Sequence, residues 1–165
     1  MKKILIDFPS KIISKKKKIE ETFNIKISNR GKEIFVDGNS EGEYYAEKVI
    51  DAMDFGFSFQ HAILLKDENF SFEILNIKDY TRRKDLERIR ARIIGKKGKT
   101  LKVLNELTEC FFELNENKIG IIGESEYIKN AEEAAISIIK GAKQANVYSF
   151  LEKHRVKPIV DFGLK

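Results

Sequence analysis

The sequence predicts an α+β protein made of two copies of one small unit, and three observations carry that prediction. Slid against itself by 85 residues without a gap, the chain sets Glu21 on Glu106, Gly38 on Gly123, Ser40 on Ser125, Glu41 on Glu126, Ala46 on Ala131, Glu47 on Glu132 and Gly56 on Gly141. Apolar positions follow, with Ile19 over Leu104, Ile34 over Ile119 and Val36 over Ile121. An offset that holds from residue 19 to 65 is the mark of a duplicated unit. The second observation is a period that switches between strand-like alternation and helical stripes within each copy. The third is the run Ile93-Ile94-Gly95-Lys96-Lys97-Gly98-Lys99-Thr100, where two glycines frame two lysines.

The second copy reads as β-α-turn-α-β-β-α. Residues 70–77 alternate as a half-buried strand does. Leu86, Ile89, Ile93 and Ile94 recur at helical spacing, so a helix runs into the glycine turn. Leu101, Leu104 and Leu107 give the next helix its apolar stripe. Residues 110–114 and 118–122 form a hairpin across Asn115-Glu116-Asn117. Ser125, flanked by Glu124 and Glu126, opens a last helix carrying Ile128, Ala131, Ala135, Ile138 and Ile139. Gly141 stands where a helix ends. The first copy keeps the last part of that order: a strand over 2–8, a helix over 16–22, a hairpin from 25–27 and 33–36, and a closing helix over 44–53. Each copy continues into a short apolar helix, with Phe59, Ala62, Ile63 and Leu65 in the first and Val147, Phe150 and Leu151 in the second, placed to pack the halves together.

Charge is concentrated around the glycine turn. Residues 82–102 hold ten basic side chains (Arg82, Arg83, Lys84, Arg88, Arg90, Arg92, Lys96, Lys97, Lys99 and Lys102) against Asp85 and Glu87, while the whole chain is only +5. Glycines admit a close approach of the backbone, the lysines bring charge to that point, and a helix begun just after them aims free N–H groups at an anion. A surface of this kind grips the backbone of a phosphate polymer. No apolar run is long enough to span a membrane, Asp7 interrupts the first apolar stretch as no secretory signal would allow, and a single cysteine, Cys110, excludes an internal disulfide framework. A cytoplasmic protein without cofactors is expected.

The strand-helix order with Ile93-Ile94-Gly95-Lys96-Lys97-Gly98 at its centre resembles a type I KH domain, in which a Gly-x-x-Gly loop clamps single-stranded nucleic acid. Residues 88–95, then Gly98-Lys99-Thr100 and the distal stretch 147–153, are similar to the archaeal tandem-KH ribosome-assembly proteins, whose eukaryotic relatives are the small-subunit processing factors called partner of Nob one. The resemblance is strongest over 70–155 and implies two type I KH domains, 1–66 and 67–155, with a tail over 156–165. The first copy is degenerate. It has no glycine before Gly31, carries Pro9-Ser10-Lys11-Ile12-Ile13-Ser14 and Lys15 to Lys18 where a clamp belongs, and is too short there for a full helix plus loop.

On this reading Gly95 and Gly98 permit backbone approach, and N–H groups around Lys96 to Lys99 donate to phosphate. Lys96, Lys97, Lys99 and Lys102 supply charge, with Thr100 closing the motif. Arg88, Arg90 and Arg92 flank the nucleotide track, and Ile93 and Ile94 form an apolar floor for bases, with a core position for one of them the alternative. The resemblance further implies single-stranded RNA as ligand, near the 3′ end of the 16S (pre-16S) ribosomal RNA. It also implies contact with the PIN-domain endonuclease Nob and the α subunit of archaeal initiation factor two. The rival to RNA binding is a protein adaptor with incidental RNA affinity. Enzyme readings are weak. Gly98-Lys99-Thr100 imitates a P-loop but has Ile93 where that motif needs glycine, Asp161-Phe162-Gly163 lacks the other kinase elements, and His61 and His154 are remote in sequence.

Overall fold

The computed structural model describes residues 1–155; Asp161-Phe162-Gly163 and the tail over 156–165 lie outside the described residues. The first copy runs β1 (Lys2–Leu5), α1 (Pro9–Ser14), α2 (Lys16–Phe23), β2 (Lys26–Arg30), β3 (Glu33–Asp37), α3 (Ser40–Phe55) and α4 (Phe59–Ala62), which ends in a 3-10 turn over Ile63–Lys66. The second runs β4 (Phe70–Asn76), α5 (Leu86–Ile94), a 3-10 turn over Lys96–Gly98, α6 (Lys99–Thr108), β5 (Phe111–Asn115), β6 (Lys118–Glu124), α7 (Ser125–Ile139) and α8 (Gln144–Lys153). Each copy builds a three-stranded antiparallel sheet with its last strand in the middle, in the orders β1-β3-β2 and β4-β6-β5. The fold is therefore α+β with two sheets of one topology.

The repeat extends to details the residue identities hide. Asn24 and Glu109, 85 positions apart, both end a helix in the left-handed region, at φ 53° and 55°. Gly31 and Glu116 hold the two hairpin turns with φ 60° and 53°. A Cβ on Gly38 would meet Ile25 Cγ2 at 2.6 Å, and one on Gly123 would meet Cys110 Sγ at 2.3 Å. Ile25 and Cys110 are themselves equivalent, so each copy sinks one apolar residue into the notch of a glycine ending its central strand. That contact explains the lone cysteine. It is 1 % exposed, and burial pushes its thiol pKa up to about 12.

One element goes beyond the sequence reading. The first copy does hold a helix before α2: α1 starts at Pro9, whose fixed φ and missing N–H suit a first helical turn, and buries Ile12. Only Lys15 separates it from α2, so the helix pair survives there and the loop does not.

The halves pack on one another through the outer face of the second sheet. Gly120 in β6 leaves room for Phe55 and Phe57, which a Cβ would meet at 2.6 and 3.0 Å. Phe72 sets its ring edge-on to both, at centroid distances of 5.8 and 5.7 Å. Ile122 is fully buried in the first copy's core. Asn115 Nδ2 donates to the Phe55 carbonyl at 3.0 Å, and the His61 ring stacks on Phe111 at 3.8 Å. The first follow-on helix thus joins the halves as expected. The second does not, because α8 packs on α6 and α7 of its own copy and buries Val147 and Leu151.

Candidate nucleic-acid interface

The glycine loop is a sharp reversal between two amphipathic helices. α5 buries Ile89 and Ile93 and stops at Gly95, whose N–H donates to the Ala91 carbonyl at 2.8 Å. At φ 79° and ψ 171°, Gly95 occupies backbone space that is almost exclusive to glycine. A Cβ there would also lie 2.1 Å from Thr100 Oγ1. Gly95 is thus held by conformation and by packing together. Gly98, at φ 75°, has nothing within 4 Å of an added Cβ, so only its conformation constrains it. Lys97 between them is left-handed too, at φ 56°, a strained setting for a residue with a side chain.

Lys96, Lys97, Lys99 and Lys102 are all exposed, and Lys96 and Lys97 stand at the apex of the loop. The loop spends two of its N–H groups on itself: Gly98 N–H donates to the Gly95 carbonyl at 3.1 Å and Lys99 N–H to the Lys96 carbonyl. The expectation that N–H groups through Lys99 serve an anion is corrected to that extent.

A groove of about 470 Å³ opens beside the loop, lined by Arg90, Ile94, Leu114, Glu116 and Asn117. Ile94 is 38 % exposed and gives the groove an apolar surface, whereas Ile93 is fully buried in the core. The three arginines part company. Arg90 donates to Asn117 Oδ1 across the groove mouth, bracing α5 against the hairpin turn. Arg88 points to solvent, 4.0 Å from Asp85. Arg92 turns to the opposite side, where it donates to the Ile138 carbonyl at 2.9 Å and to the Ala142 carbonyl, capping the C-terminal end of α7. Residues two apart on a helix face different ways, and carbonyls at a helix end attract a guanidinium, so Arg92 lies away from the groove that Arg90 lines. Thr100 is likewise buried, packed under Gly95. Upstream, Arg83 pairs with Asp85 at 2.8 Å and holds that carboxyl below the usual range.

Asn117 and Glu116 are groove residues that sequence reasoning missed. Their signal was weak, since a turn with a left-handed glutamate lacks the glycine that marks its equivalent, Gly31. The first copy presents no comparable loop: Lys15 has φ −115° and its N–H returns to the Ile12 carbonyl at 3.0 Å. A helix rather than a strand leads into Gly95, contrary to a P-loop. Among the described residues, no cluster of three or more His, Cys, Asp or Glu is placed to hold a metal ion, and no helix is long and apolar enough to cross a membrane.

Residues 71–156 match the eukaryotic-type KH domain (KH-domain type I) family model for the second KH domain of Pno1 proteins. The chain is 32 % identical over 113 residues to the KH domain-containing protein MJ0443 of Methanocaldococcus jannaschii, covering 68 % of this chain and 50 % of that protein. It is also 32 % identical over 111 residues to the pre-rRNA-processing protein pno1 of Emericella nidulans, covering 65 % and 43 %. The match thus spans half or less of these curated relatives. Among solved structures, Dim2p from Pyrococcus horikoshii superposes with a TM-score of 0.83 at 27 % identity, covering 92 % of this chain and 98 % of that one. A chain of the a/eIF2alpha–aDim2p–rRNA complex from the same organism gives a TM-score of 0.84 at 26 % identity, covering 93 % of each.

Proposed function

The chain belongs to the Pno1/Dim2 family of KH-domain pre-rRNA-processing proteins, and on that premise we propose that it binds single-stranded ribosomal RNA through the loop of its second copy. The observation that carries this reading is the loop itself: Gly95 and Gly98 at positive φ, two exposed lysines at the apex, and an apolar groove alongside. Phosphates lie against the loop and the ammonium groups of Lys96, Lys97, Lys99 and Lys102. Bases enter the groove over Ile94 and Leu114, where Arg90, Glu116 and Asn117 offer donors and acceptors to base edges. The protein acts by binding and not by catalysis.

The RNA region is the 3′ end of the small-subunit ribosomal RNA during its maturation. A Pyrococcus relative that was solved with rRNA and a/eIF2alpha supports rRNA as ligand and the initiation-factor α subunit as partner. The endonuclease Nob is a further partner on the family premise. A clamp for about four nucleotides gives a log–log salt slope of roughly −2 to −3, at about 0.7 per neutralised phosphate.

The test is Gly98→Asp. Aspartate tolerates the left-handed region and its Cβ has no atom within 4 Å there, so the fold is expected to persist while a negative charge enters the loop. RNA binding, followed by fluorescence anisotropy, is expected to fall by about 100-fold or more, roughly 2.7 kcal/mol. Unchanged affinity would remove the loop from the site.

A further inference from the structure

Five lysines, Lys11 and Lys15 to Lys18, stand where the first copy lacks a glycine loop. None pairs with a carboxylate among the described residues. Three share one side. Lys11 and Lys15 line a cavity of about 410 Å³ together with Phe59, His61 and Glu113, and Lys18 Nζ stands 6.0 Å from the centre of the Phe59 ring. Lys11 lies on α1, Lys15 at the junction and Lys18 on α2, so the row runs across the helix pair.

Glu113 belongs to β5, and its neighbour Leu114 lines the groove of the second copy. Successive residues of a strand point to opposite faces, so the groove and the lysine-lined cavity sit on the two sides of one strand. β5 is an edge of its sheet. A polymer leaving the groove over that edge passes onto Lys11, Lys15 and Lys18 within the width of one strand.

We propose that Lys11, Lys15 and Lys18 form a second phosphate-binding row, which takes the backbone of the RNA strand just beyond the nucleotides held in the groove. The inference rests on the clamp reading of Gly95 to Gly98 and extends it to the copy without a clamp. Three ammonium groups on one side, none in an ion pair among the described residues, suit a track of phosphates that is followed without reading sequence. Phe59 and His61 at the same cavity add flat rings of the kind on which bases stack. Glu113, at the crossing point, is the one carboxylate of the cavity; burial raises its pKa while the Lys11 charge lowers it.

The experiment compares the intact chain with its Lys11→Gln/Lys15→Gln/Lys18→Gln variant on two RNAs, a tetranucleotide filling the clamp alone and a single strand of about twelve nucleotides containing it. All three side chains are exposed or half-exposed, and a thermal melt verifies that the fold is kept. The variant is expected to bind the tetranucleotide as the parent does. It should bind the longer strand about 10-fold more weakly, with a salt slope shallower by about 2 for three lost phosphate contacts. Equal affinity of both proteins for the longer strand would overturn the row, as would a parent chain that gains nothing from the added nucleotides. A lysine-dependent gain that survives Gly98→Asp would support the row and overturn only the clamp.

Discussion

The two copies share a register of 85 residues from residue 19 onward and differ upstream of it, where the second has a longer segment before its first helix, a longer first helix and a glycine loop after it. In the second copy, Gly95 and the Lys96–Gly98 turn carry the chain from α5 to α6 through three positive-φ residues, Gly95, Lys97 and Gly98. In the first, Lys15 alone carries it from α1 to α2 with an ordinary backbone. The cores correspond all the same: Ile19 and Leu104, Ile34 and Ile119, Val36 and Ile121, and Ala46 and Ala131 are all fully buried. The comparison teaches that the fold does not require the loop. The sheet and its helices close around apolar residues present in both copies, so the strained, lysine-bearing reversal in only one of them is not needed to close the core.

After the loss of RNA binding in Gly98→Asp, the next largest effect comes from the glycine notch that both copies keep. Gly123→Ala forces a methyl onto Cys110 Sγ and Gly38→Ala forces one onto Ile25 Cγ2; each is expected to destabilise by about 1–3 kcal/mol in urea titrations. Adding Cys110→Ala removes the sulfur and should recover a good part of the Gly123→Ala loss, a positive coupling in a double-mutant cycle. Ile25→Ala should recover less in the first copy, because truncating a buried isoleucine leaves a cavity. Equal recovery in the two copies would mean that the notches are not built alike.

Arg92→Ala tests the division of labour among the arginines. The Ala142 carbonyl loses its side-chain donor and the Ile138 carbonyl keeps only Gly141 N–H, so stability should fall by about 1–2 kcal/mol while RNA affinity changes less than twofold. Arg90→Ala should do the reverse, weakening RNA binding with little change in melting temperature. A large loss of RNA affinity in folded Arg92→Ala would return that residue to the site.

The buried thiol sets a pH dependence confined to the second copy. The Cys110 pKa is raised from 9.0 to about 12, so between those values the unfolded chain releases a proton that the folded chain keeps. Stability contributed there is complete below pH 9 and falls as the pH rises toward 12. Cys110→Ala should flatten this alkaline decline, measured by urea midpoints across that range. The smallest effect concerns the hairpin turns. Glu116→Gly gives the second copy the residue that the first has at Gly31 and should stabilise by about 0.5–1 kcal/mol, since glycine carries no Cβ penalty at φ 53°. Gly31→Glu should cost a similar amount.

Much of the fold was legible because an ungapped repeat reports equivalent positions even where residue types differ. The hairpins and the closing helices follow from it. α1 escaped because it is six residues long with a single buried side chain, Ile12, too little to show a period. Glu109 and Glu116 escaped because glutamate gives no sign of the left-handed backbone that their partners Asn24 and Gly31 make plain. In the site, the loop and its lysines were legible from local chemistry. The roles of Arg92, Ile93 and Thr100 were not, because charge and apolarity along a helix do not say which neighbour each side will meet.

The sequence by itself determined the duplicated plan, the element order within it, the one glycine loop and the concentration of charge around that loop. These depend on spacing and on residues whose backbone preferences are local. Only the tertiary structure decided that Arg92 caps α7 while Arg90 braces the groove. It also decided that Gly95 makes room for Thr100, that Gly120 admits Phe55 and Phe57, and that β5 lies with the groove on one side and Lys11 and Lys15 on the other. Those facts arise where elements distant in sequence meet, and burial and hydrogen bonding there are set by the partner and not by the residue alone.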